Sequence, residues 1–184
     1  MPHILLLGGA RSGKSTLALE IAARSGAPVT MIATAEPLDP EMAERIAHHR
    51  AQRPSGWTTI EEPVALLEAV QAAPARSLLI IDCLTLWVSN LVGQGQHDPA
   101  IVAAAGRAAT TLAARPGGAI VVSNEVGLGI IPVNPVARGY RDTLGRVNAA
   151  FAALADRTAL VVAGRLHELT SATEFMEGIT WHAR

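Results

Sequence analysis

The sequence predicts a single α/β domain over residues 1–184, built on a mostly parallel sheet of at least five strands with helices on both faces. Two observations lead to this fold class. Short segments of aliphatic, β-forming residues recur along the chain, and a longer segment with helical periodicity follows each of the first four. The five short segments are residues 4–7, 29–33, 77–83, 119–123 and 159–163. In such a sheet, ligands bind at the carboxyl ends of the strands.

The composition excludes several classes of protein. Hydrophobic residues make up 49% of the chain and charged residues 17%, which favours a packed core over disorder. A net charge of −1 provides no basic surface for nucleic acid or anionic lipid. The single cysteine, Cys83, excludes an internal disulfide and a multi-cysteine zinc site. No apolar run approaches the roughly 18 residues of a membrane span, and no charged leader precedes the first strand. We therefore expect a cytoplasmic protein without membrane insertion or a nucleic-acid partner.

A glycine-rich segment joins the first predicted strand to a predicted helix over residues 16–23. Its residues fit the pattern G-x-x-x-x-G-K-[ST] without a mismatch; they are Gly8, Gly9, Ala10, Arg11, Ser12, Gly13, Lys14 and Ser15. In a P-loop of this kind, backbone N–H groups and the helix N-terminus surround a phosphate. We expect Lys14 to reach the β- and γ-phosphates and the Ser15 hydroxyl to bind Mg²⁺. The pattern predicts a P-loop NTPase-like fold that binds a nucleoside triphosphate.

Asp82 ends the most apolar strand after the first, residues 77–83. An acid in that position of a P-loop protein is typical of the second magnesium carboxylate, which is usually held through water. The alternative is that Asp82 only caps the helix that follows. The adjacent Cys83 is interpreted as a small buried residue, since no second reactive group accompanies it.

Two adjacent histidines lie on the predicted helix over residues 41–50, which Asp39 and Pro40 begin and Pro54 ends. At about 100° per residue, His49 shares one stripe with Met42, Ile46 and Arg53, whereas His48 points away. The stripe predicts that His49 faces inward, next to the edge of the sheet. The alternative is that the pair is simply a solvated helix end.

The segment over residues 124–132 carries Gly127 and Gly129 and follows a strand, which is where a substrate site is expected. A plain connection with two glycine turns is the alternative. The next helix, residues 136–155, carries charged residues that we interpret as a solvated face; they are Arg138, Arg141, Asp142 and Arg146. Residues 164–184 show no strong period and are predicted to form an arm or tail without an assigned role.

Five segments in this order resemble one enzyme family. They are GGARSGKS at 8–15, ERIAHHRAQRP at 44–54, Asp82-Cys83, NEVGLGIIP at 124–132 and RDTLGRVN at 141–148. The chain resembles, over residues 3–164, the bifunctional adenosylcobinamide kinase / adenosylcobinamide-phosphate guanylyltransferase family of cobalamin biosynthesis. The P-loop alone indicates only an NTPase, whereas the H-H-x-x-x-R-P and N-E-V-G-x-G-I-[IV]-P segments are specific to this family.

The resemblance implies two reactions in one nucleotide-binding region. In the first, the terminal phosphate of ATP or GTP passes to the aminopropanol hydroxyl of adenosylcobinamide. In the second, a histidine attacks the α-phosphate of GTP, releases pyrophosphate and carries GMP to adenosylcobinamide phosphate. The family's nucleophile corresponds to His49, the residue that the helix stripe also indicates. A neutral imidazole can attack phosphorus near neutral pH.

The resemblance also implies a set of binding residues, Mg²⁺ as cofactor and assembly as a homotrimer. Lys14 is implied in catalysis, and Ser15 and Asp82 in holding the metal. The implied nucleotide contacts beyond the P-loop are Ala33, Thr34, Ala35, Arg50, Ala51, Gln52, Arg53, Glu61 and Asp82. The chain departs from the family pattern at Ala35, where serine is frequent, and at Asp82, where some members have glutamate.

Two other functions fit the P-loop itself. One is a monofunctional small-molecule kinase, in which His49 has no special role and only the γ-phosphate moves. The other is a GTP-binding switch that transfers no group to an acceptor. Neither would form an acid-labile GMP adduct on the protein.

Overall fold

The computed structural model describes residues 1–179, in which seven strands form one sheet in the order β3-β2-β4-β5-β1-β6-β7. The strands are β1 His3–Gly8, β2 Val29–Ala33, β3 Thr58–Glu61, β4 Leu78–Asp82, β5 Ala119–Val122, β6 Arg157–Val162 and β7 Arg165–Leu169. β1 to β6 are parallel to one another, and β7 runs antiparallel to β6. This confirms the mostly parallel sheet that the sequence predicts.

Helices cover both faces of this sheet, as predicted. They are α1 Lys14–Arg24, α2 Pro40–Ala51, α3 Leu66–Ala72, α4 Leu84–Gly93, α5 Asp98–Ala113, α6 Pro135–Ala152 and α7 Ala172–Glu177. Successive side chains of a strand point to opposite faces, so Leu5 belongs to one buried cluster and Leu6 to another. The cluster around Leu6 contains residues of α1, and the cluster around Leu5 contains residues of α3, α4, α5 and α6. No helix within residues 1–179 is both long and apolar enough to cross a bilayer.

The strand register brings several predicted site residues to one edge of the sheet. Ala33, the last residue of β2, lies opposite Glu61 of β3 and Asp82 of β4. Asp82 in turn lies opposite Val122 of β5, and Gly8 of β1 lies opposite Val161 of β6. The carboxyl ends of six parallel strands therefore meet at the edge where ligands bind in such sheets.

The segment after residue 164, predicted as an arm or tail, is largely part of the fold. Its first residues form β7, which extends the sheet beyond β6. The segment then forms α7, where the Ser171 hydroxyl and the Glu174 carboxylate make a reciprocal capping box. Every residue of β7 is exposed. Because neither face of the strand is buried, its sequence does not need to alternate between apolar and polar residues, and that alternation is the signal that predicts a strand. Residues 180–184 of the predicted tail lie outside the described residues.

Candidate nucleotide site

The loop between β1 and α1 depends on two glycines for its path. A Cβ on Gly8 would lie 2.3 Å from the carbonyl oxygen of Val161 on the neighbouring strand, which no side chain tolerates. Gly13, immediately before α1, has a left-handed backbone with φ of 98°. The loop is also tied to the start of the predicted tail, because the Gly164 N–H donates to the Ser12 carbonyl at 2.8 Å. The glycine pattern therefore closes into the strand–loop–helix geometry of a phosphate cradle.

Lys14 is held inside this loop and is only 6% exposed. Its Nζ donates to the Gly9 carbonyl at 2.7 Å and to the Ser12 hydroxyl at 3.3 Å. Burial lowers the pKa of Lys14, while the negative charge of Asp82 acts in the opposite direction. The ammonium thus lies beside the phosphate cradle, where a phosphate oxygen can replace the Gly9 carbonyl as its partner.

Asp82, the last residue of β4, contacts the first turn of α1. The Ser15 hydroxyl donates to Asp82 Oδ1 at 3.3 Å, so the two predicted magnesium ligands converge. The alternative that Asp82 caps the next helix is wrong, because the N-cap of α4 is Cys83 and no side chain caps that helix. Burial raises the pKa of the Asp82 carboxyl, and the hydrogen bond from Ser15 opposes that rise.

Three basic side chains also oppose the rise of the Asp82 pKa; they are His49, Arg53 and Lys14. Two of these groups come from α2 and the turn after it, and the third comes from the P-loop. The fold therefore places the P-loop, the carboxylate and the second histidine of the pair in one electrostatic environment. Among residues 1–179 no cluster of three His, Cys, Asp or Glu side chains is arranged to hold a metal by itself. A hydroxyl and one carboxylate are instead typical of Mg²⁺ that is shared with substrate phosphates.

The helix that carries the histidines matches its sequence prediction closely. It begins at Pro40, and the Asp39 carboxylate accepts from the Met42 N–H at 2.7 Å. The four residues of the predicted inward stripe are half-buried, whereas His48 and the other residues of α2 are exposed; the four are Met42, Ile46, His49 and Arg53. The spacing argument therefore selects the histidine that the fold turns inward.

The basic residues after the histidines pair with β3. Arg50 forms an ion pair with Glu61, and Arg53 Nη1 donates to the Thr59 hydroxyl at 3.3 Å. Arg53 Nε is buried and has no hydrogen-bond partner among the described residues. Burial lowers the pKa of Arg53, and the charge of Asp82 opposes this. Ala51 and Gln52, between the two arginines, are exposed at the end of α2.

The residues at the end of β2 lie beside the site, but the Thr34 hydroxyl is already hydrogen-bonded within the protein. The Thr34 hydroxyl donates to the Cys83 carbonyl at 2.7 Å and accepts from the Cys83 N–H at 2.9 Å. Both of its hydrogen-bonding functions are therefore used within the protein. Ala33 is buried and Ala35 is half-buried. Burial raises the pKa of the Cys83 thiol to about 11, so it is not a thiolate at neutral pH, in keeping with the inert role expected of it.

Sequence reasoning missed two asparagines that hold the strand ends in place. Asn90 of α4 donates from Nδ2 to the Thr34 carbonyl at 2.8 Å and to the Pro63 carbonyl at 3.0 Å. Asn148 of α6 accepts from the Ser123 hydroxyl at 2.6 Å and donates to the Asn124 carbonyl at 3.0 Å. A polar residue on the apolar stripe of each helix was the available signal, because buried amides need partners.

The comparisons with known proteins bear on this geometry. The family described as cobinamide kinase / cobinamide phosphate guanyltransferase matches residues 4–169. The chain belongs to this family. The bifunctional adenosylcobalamin biosynthesis protein CobP of Pseudomonas aeruginosa is 46% identical over 162 residues, which cover 87% of this chain and 92% of that protein. The corresponding protein CobU of Escherichia coli is 40% identical over 88% of this chain and 96% of its own length.

A solved structure supports the fold. A prototypical ATPase from the type III secretion system of pathogenic bacteria aligns with a TM-score of 0.52 and 16% identity, covering 86% of this chain and 50% of that one. At this identity the likeness concerns the fold alone, which is that of a P-loop NTPase.

The family match, over residues 4–169, extends five residues beyond the predicted limit of 164 and so includes β7.

Proposed function

We propose that this protein carries out both reactions of its family: phosphorylation of adenosylcobinamide, and GMP transfer from GTP to adenosylcobinamide phosphate. The observation that carries the proposal is the position of His49. It lies on the half-buried stripe of α2, close enough to Asp82 beside the P-loop to influence the pKa of that carboxyl. A kinase or a switch that transfers no nucleotide needs no imidazole there. The names of the relatives favour the bifunctional reading over both alternatives.

In the kinase reaction, the acceptor hydroxyl oxygen forms a bond to the γ-phosphorus of ATP or GTP, and the bond to the nucleoside diphosphate breaks. The hydroxyl proton is released. The P-loop backbone would hold the phosphates through Gly8–Ser15, including Gly9, Ala10, Arg11, Ser12 and Gly13. Lys14 would move its ammonium from the Gly9 carbonyl to the transferred phosphate, whose charge increases on its equatorial oxygens.

In the guanylyltransferase reaction, a neutral ring nitrogen of His49 attacks the α-phosphorus of GTP, and the bond to pyrophosphate breaks. A phosphate oxygen of adenosylcobinamide phosphate then attacks the same phosphorus. The phosphorus–nitrogen bond breaks, and the imidazole returns to its starting state. Arg50 and Arg53 extend from the same end of α2 and would offset the charge on the transferred group. Ala33, Thr34, Ala35, Ala51, Gln52 and Glu61 would shape the surrounding nucleotide pocket.

Ser15 and Asp82 are the residues that would hold Mg²⁺, because their oxygens already converge and hard oxygen ligands suit this ion. When bound, the ion neutralises charge on the nucleotide phosphates. We further propose that the protein acts in the cytoplasm, and that it assembles as a homotrimer, as its family resemblance implies.

The test is a labelling experiment with α-labelled GTP and Mg²⁺, followed by denaturation. His49→Ala and His48→Ala are a matched pair, since the two residues are adjacent and only His49 is turned inward. We expect acid-labile, alkali-stable label on the wild type and on His48→Ala, and none on His49→Ala. An unlabelled wild type that still transfers γ-phosphate to adenosylcobinamide would reduce the protein to a kinase. Label that persists on His49→Ala would assign the nucleophile elsewhere.

A further inference from the structure

Two cavities lie side by side along α6 and together form a trough. The first has a volume of about 410 Å³ and lies between α6 and the segment after β5. The second has a volume of about 720 Å³ and extends along α6 to the end of β7 and the start of α7. They share four lining residues, which are Glu125, Gly145, Asn148 and Ala149. Each volume lies in the range of about 300–1,000 Å³ that small-molecule sites occupy.

The trough begins beside the P-loop. The Glu125 N–H donates to the carbonyl of Gly8, the first residue of the loop, at 3.0 Å. Leu7, the preceding residue of β1, lines the second cavity. Nearer the N-terminus of α6, the Tyr140 hydroxyl donates to the Thr85 carbonyl at 3.0 Å, just beyond Asp82. A molecule in the trough would therefore have one end close to the phosphates that the P-loop is built to hold.

One residue that lines the trough, Gly145, lowers the stability of the helix that contains it. Gly145 lies in the interior of α6, where glycine is less stable than alanine because it loses more conformational freedom on folding. A Cβ built on Gly145 would meet no atom within 4 Å, so packing against the protein does not require the glycine. Its missing side chain instead keeps the trough open at the junction of the two cavities. Ala149, one turn further along, continues the smooth wall.

Within residues 1–179, the charged groups that line the trough have partners elsewhere in the fold, with the exception of two neighbours, Arg141 and Asp142. Glu125 accepts from the Gly127 N–H, and Arg146 pairs with Asp98. At the far end, Arg157 donates to both carboxylate oxygens of Glu168 at 2.5 and 2.7 Å. Asp156 accepts from the His3 N–H and Glu174 from the Ser171 N–H.

In the part of the chain that the structure describes, Arg141 and Asp142 pair only with each other. Asp142 Oδ1 lies 3.6 Å from Arg141 Nε, which is an ion-pair contact but lies beyond hydrogen-bond distance. Arg141 Nη1 is buried and has no hydrogen-bond partner among the described residues. A buried donor without a partner costs free energy, which an anion that turns the guanidinium into the trough would recover. Planar guanidinium groups bind phosphate through two parallel hydrogen bonds.

We propose that the trough along α6 is the site of the corrinoid acceptor, and that Arg141 binds the phosphate of adenosylcobinamide phosphate. This inference rests on the proposed function and adds to it the location of the second substrate. A broad macrocycle fits the smooth wall at Gly145 and Ala149, and its phosphorylated arm reaches past Glu125 toward the P-loop. The charge on Arg138 and Arg146 is engaged elsewhere in the fold, since Arg138 donates to the Pro132 and Val133 carbonyls.

The first test fills the trough with Gly145→Leu and uses Gly139→Leu as a matched control. Both glycines lie in α6 and neither would bring a Cβ within 4 Å of another atom, but Gly139 is not part of the lining described above. We expect Gly145→Leu to raise the KM for both acceptors about tenfold or more and to leave formation of the GMP–enzyme from GTP unchanged. Gly139→Leu should change neither quantity by more than about twofold.

The second test separates the two acceptors with Arg141→Gln. Loss of a charge-assisted hydrogen bond should raise the KM for adenosylcobinamide phosphate by about 10- to 100-fold. The KM for adenosylcobinamide, which lacks the phosphate, should change by less than about threefold. The unphosphorylated acceptor is therefore the control for Arg141→Gln. Circular dichroism of each variant shows that the fold is intact.

Equal effects on the two acceptors would overturn the role of Arg141. Unchanged acceptor KM values in Gly145→Leu would overturn the trough as the acceptor site. If the oligomeric state of that variant also changed, the trough would instead be a contact with a second copy of the chain. The GMP–enzyme measurement, made without acceptor, tests the proposed function independently. Equilibrium dialysis of adenosylcobinamide against wild type and Gly145→Leu tests the trough even if GMP transfer fails.

Discussion

The P-loop and α2 each bring a reactive side chain to the same edge of the sheet, yet they are built differently. The P-loop directly follows β1, an interior strand of the sheet, and both Ser12 and Lys14 are buried. In α2, by contrast, no residue is fully buried. That helix is held by a half-buried stripe, by the cap at Asp39 and by the contacts of Arg50 and Arg53 with β3.

The phosphate cradle is therefore anchored directly on a core strand, β1, whereas the histidine helix packs at the edge of the sheet. Elements with few buried apolar contacts open locally at low free energy, while core strands open only with global unfolding. We therefore expect changes in the two regions to differ in size and in kind.

The largest contrast is expected between Leu6→Ala and Ile46→Ala. Leu6 is fully buried in β1, two residues before the P-loop, so its truncation should lower the free energy of unfolding by about 2–5 kcal/mol. Ile46 is only half-buried on α2, and its truncation should cost about 1 kcal/mol or less. Urea denaturation measures both values. Similar costs for the two variants would show that α2 is as much a part of the core as β1.

A smaller effect, of opposite sign, is expected from Asp82→Asn. Burial raises the pKa of Asp82 from 3.8, so the native state binds more protons than the unfolded state between the two pKa values. Wild-type stability therefore falls, relative to the asparagine variant, as the pH rises through that interval. Removing the desolvated charge should stabilise the nucleotide-free protein at neutral pH by about 1 kcal/mol. It should also weaken transfer from Mg²⁺–nucleotide.

Thermal denaturation of the wild type and of Asp82→Asn from pH 4 to 8 measures this difference. A wild type that gains stability over the variant as the pH rises would contradict the assigned direction. In that case the neighbouring cations, including Lys14 and His49, would outweigh burial.

The smallest effect is expected at the start of α2. Asp39→Ala removes the acceptor of the Met42 N–H, which costs about 1 kcal/mol of local helix stability. Hydrogen exchange should accelerate about fivefold for amides of α2 and remain unchanged for amides of α1. Asp39→Asn keeps a capping side chain and should behave like the wild type. Faster exchange in both helices would mean that α2 and the P-loop unfold together.

Local patterns were sufficient to predict the parts of the site that depend on short-range rules. The G-x-x-x-x-G-K-[ST] segment, the cap at Asp39 and the inward position of His49 follow from spacing within a few residues, and the structure has all three geometries. Sequence reasoning failed where a residue takes its role from distant partners. The sequence predicts a solvated face at Arg141, because nothing within its helix indicates that its Nη1 is buried.

The alternation of strands and helices, the phosphate cradle and the choice of His49 over His48 are all predictable from the sequence, since they follow from periodicity and from the steric freedom of glycine. Three features depend on the folded chain: β7 extends the sheet, Gly164 supports the P-loop and Asp82 contacts Ser15. The opening of Gly145 onto a trough beside Glu125 depends on it as well. These contacts join residues far apart in the chain, so their energies depend on packing that no local pattern contains.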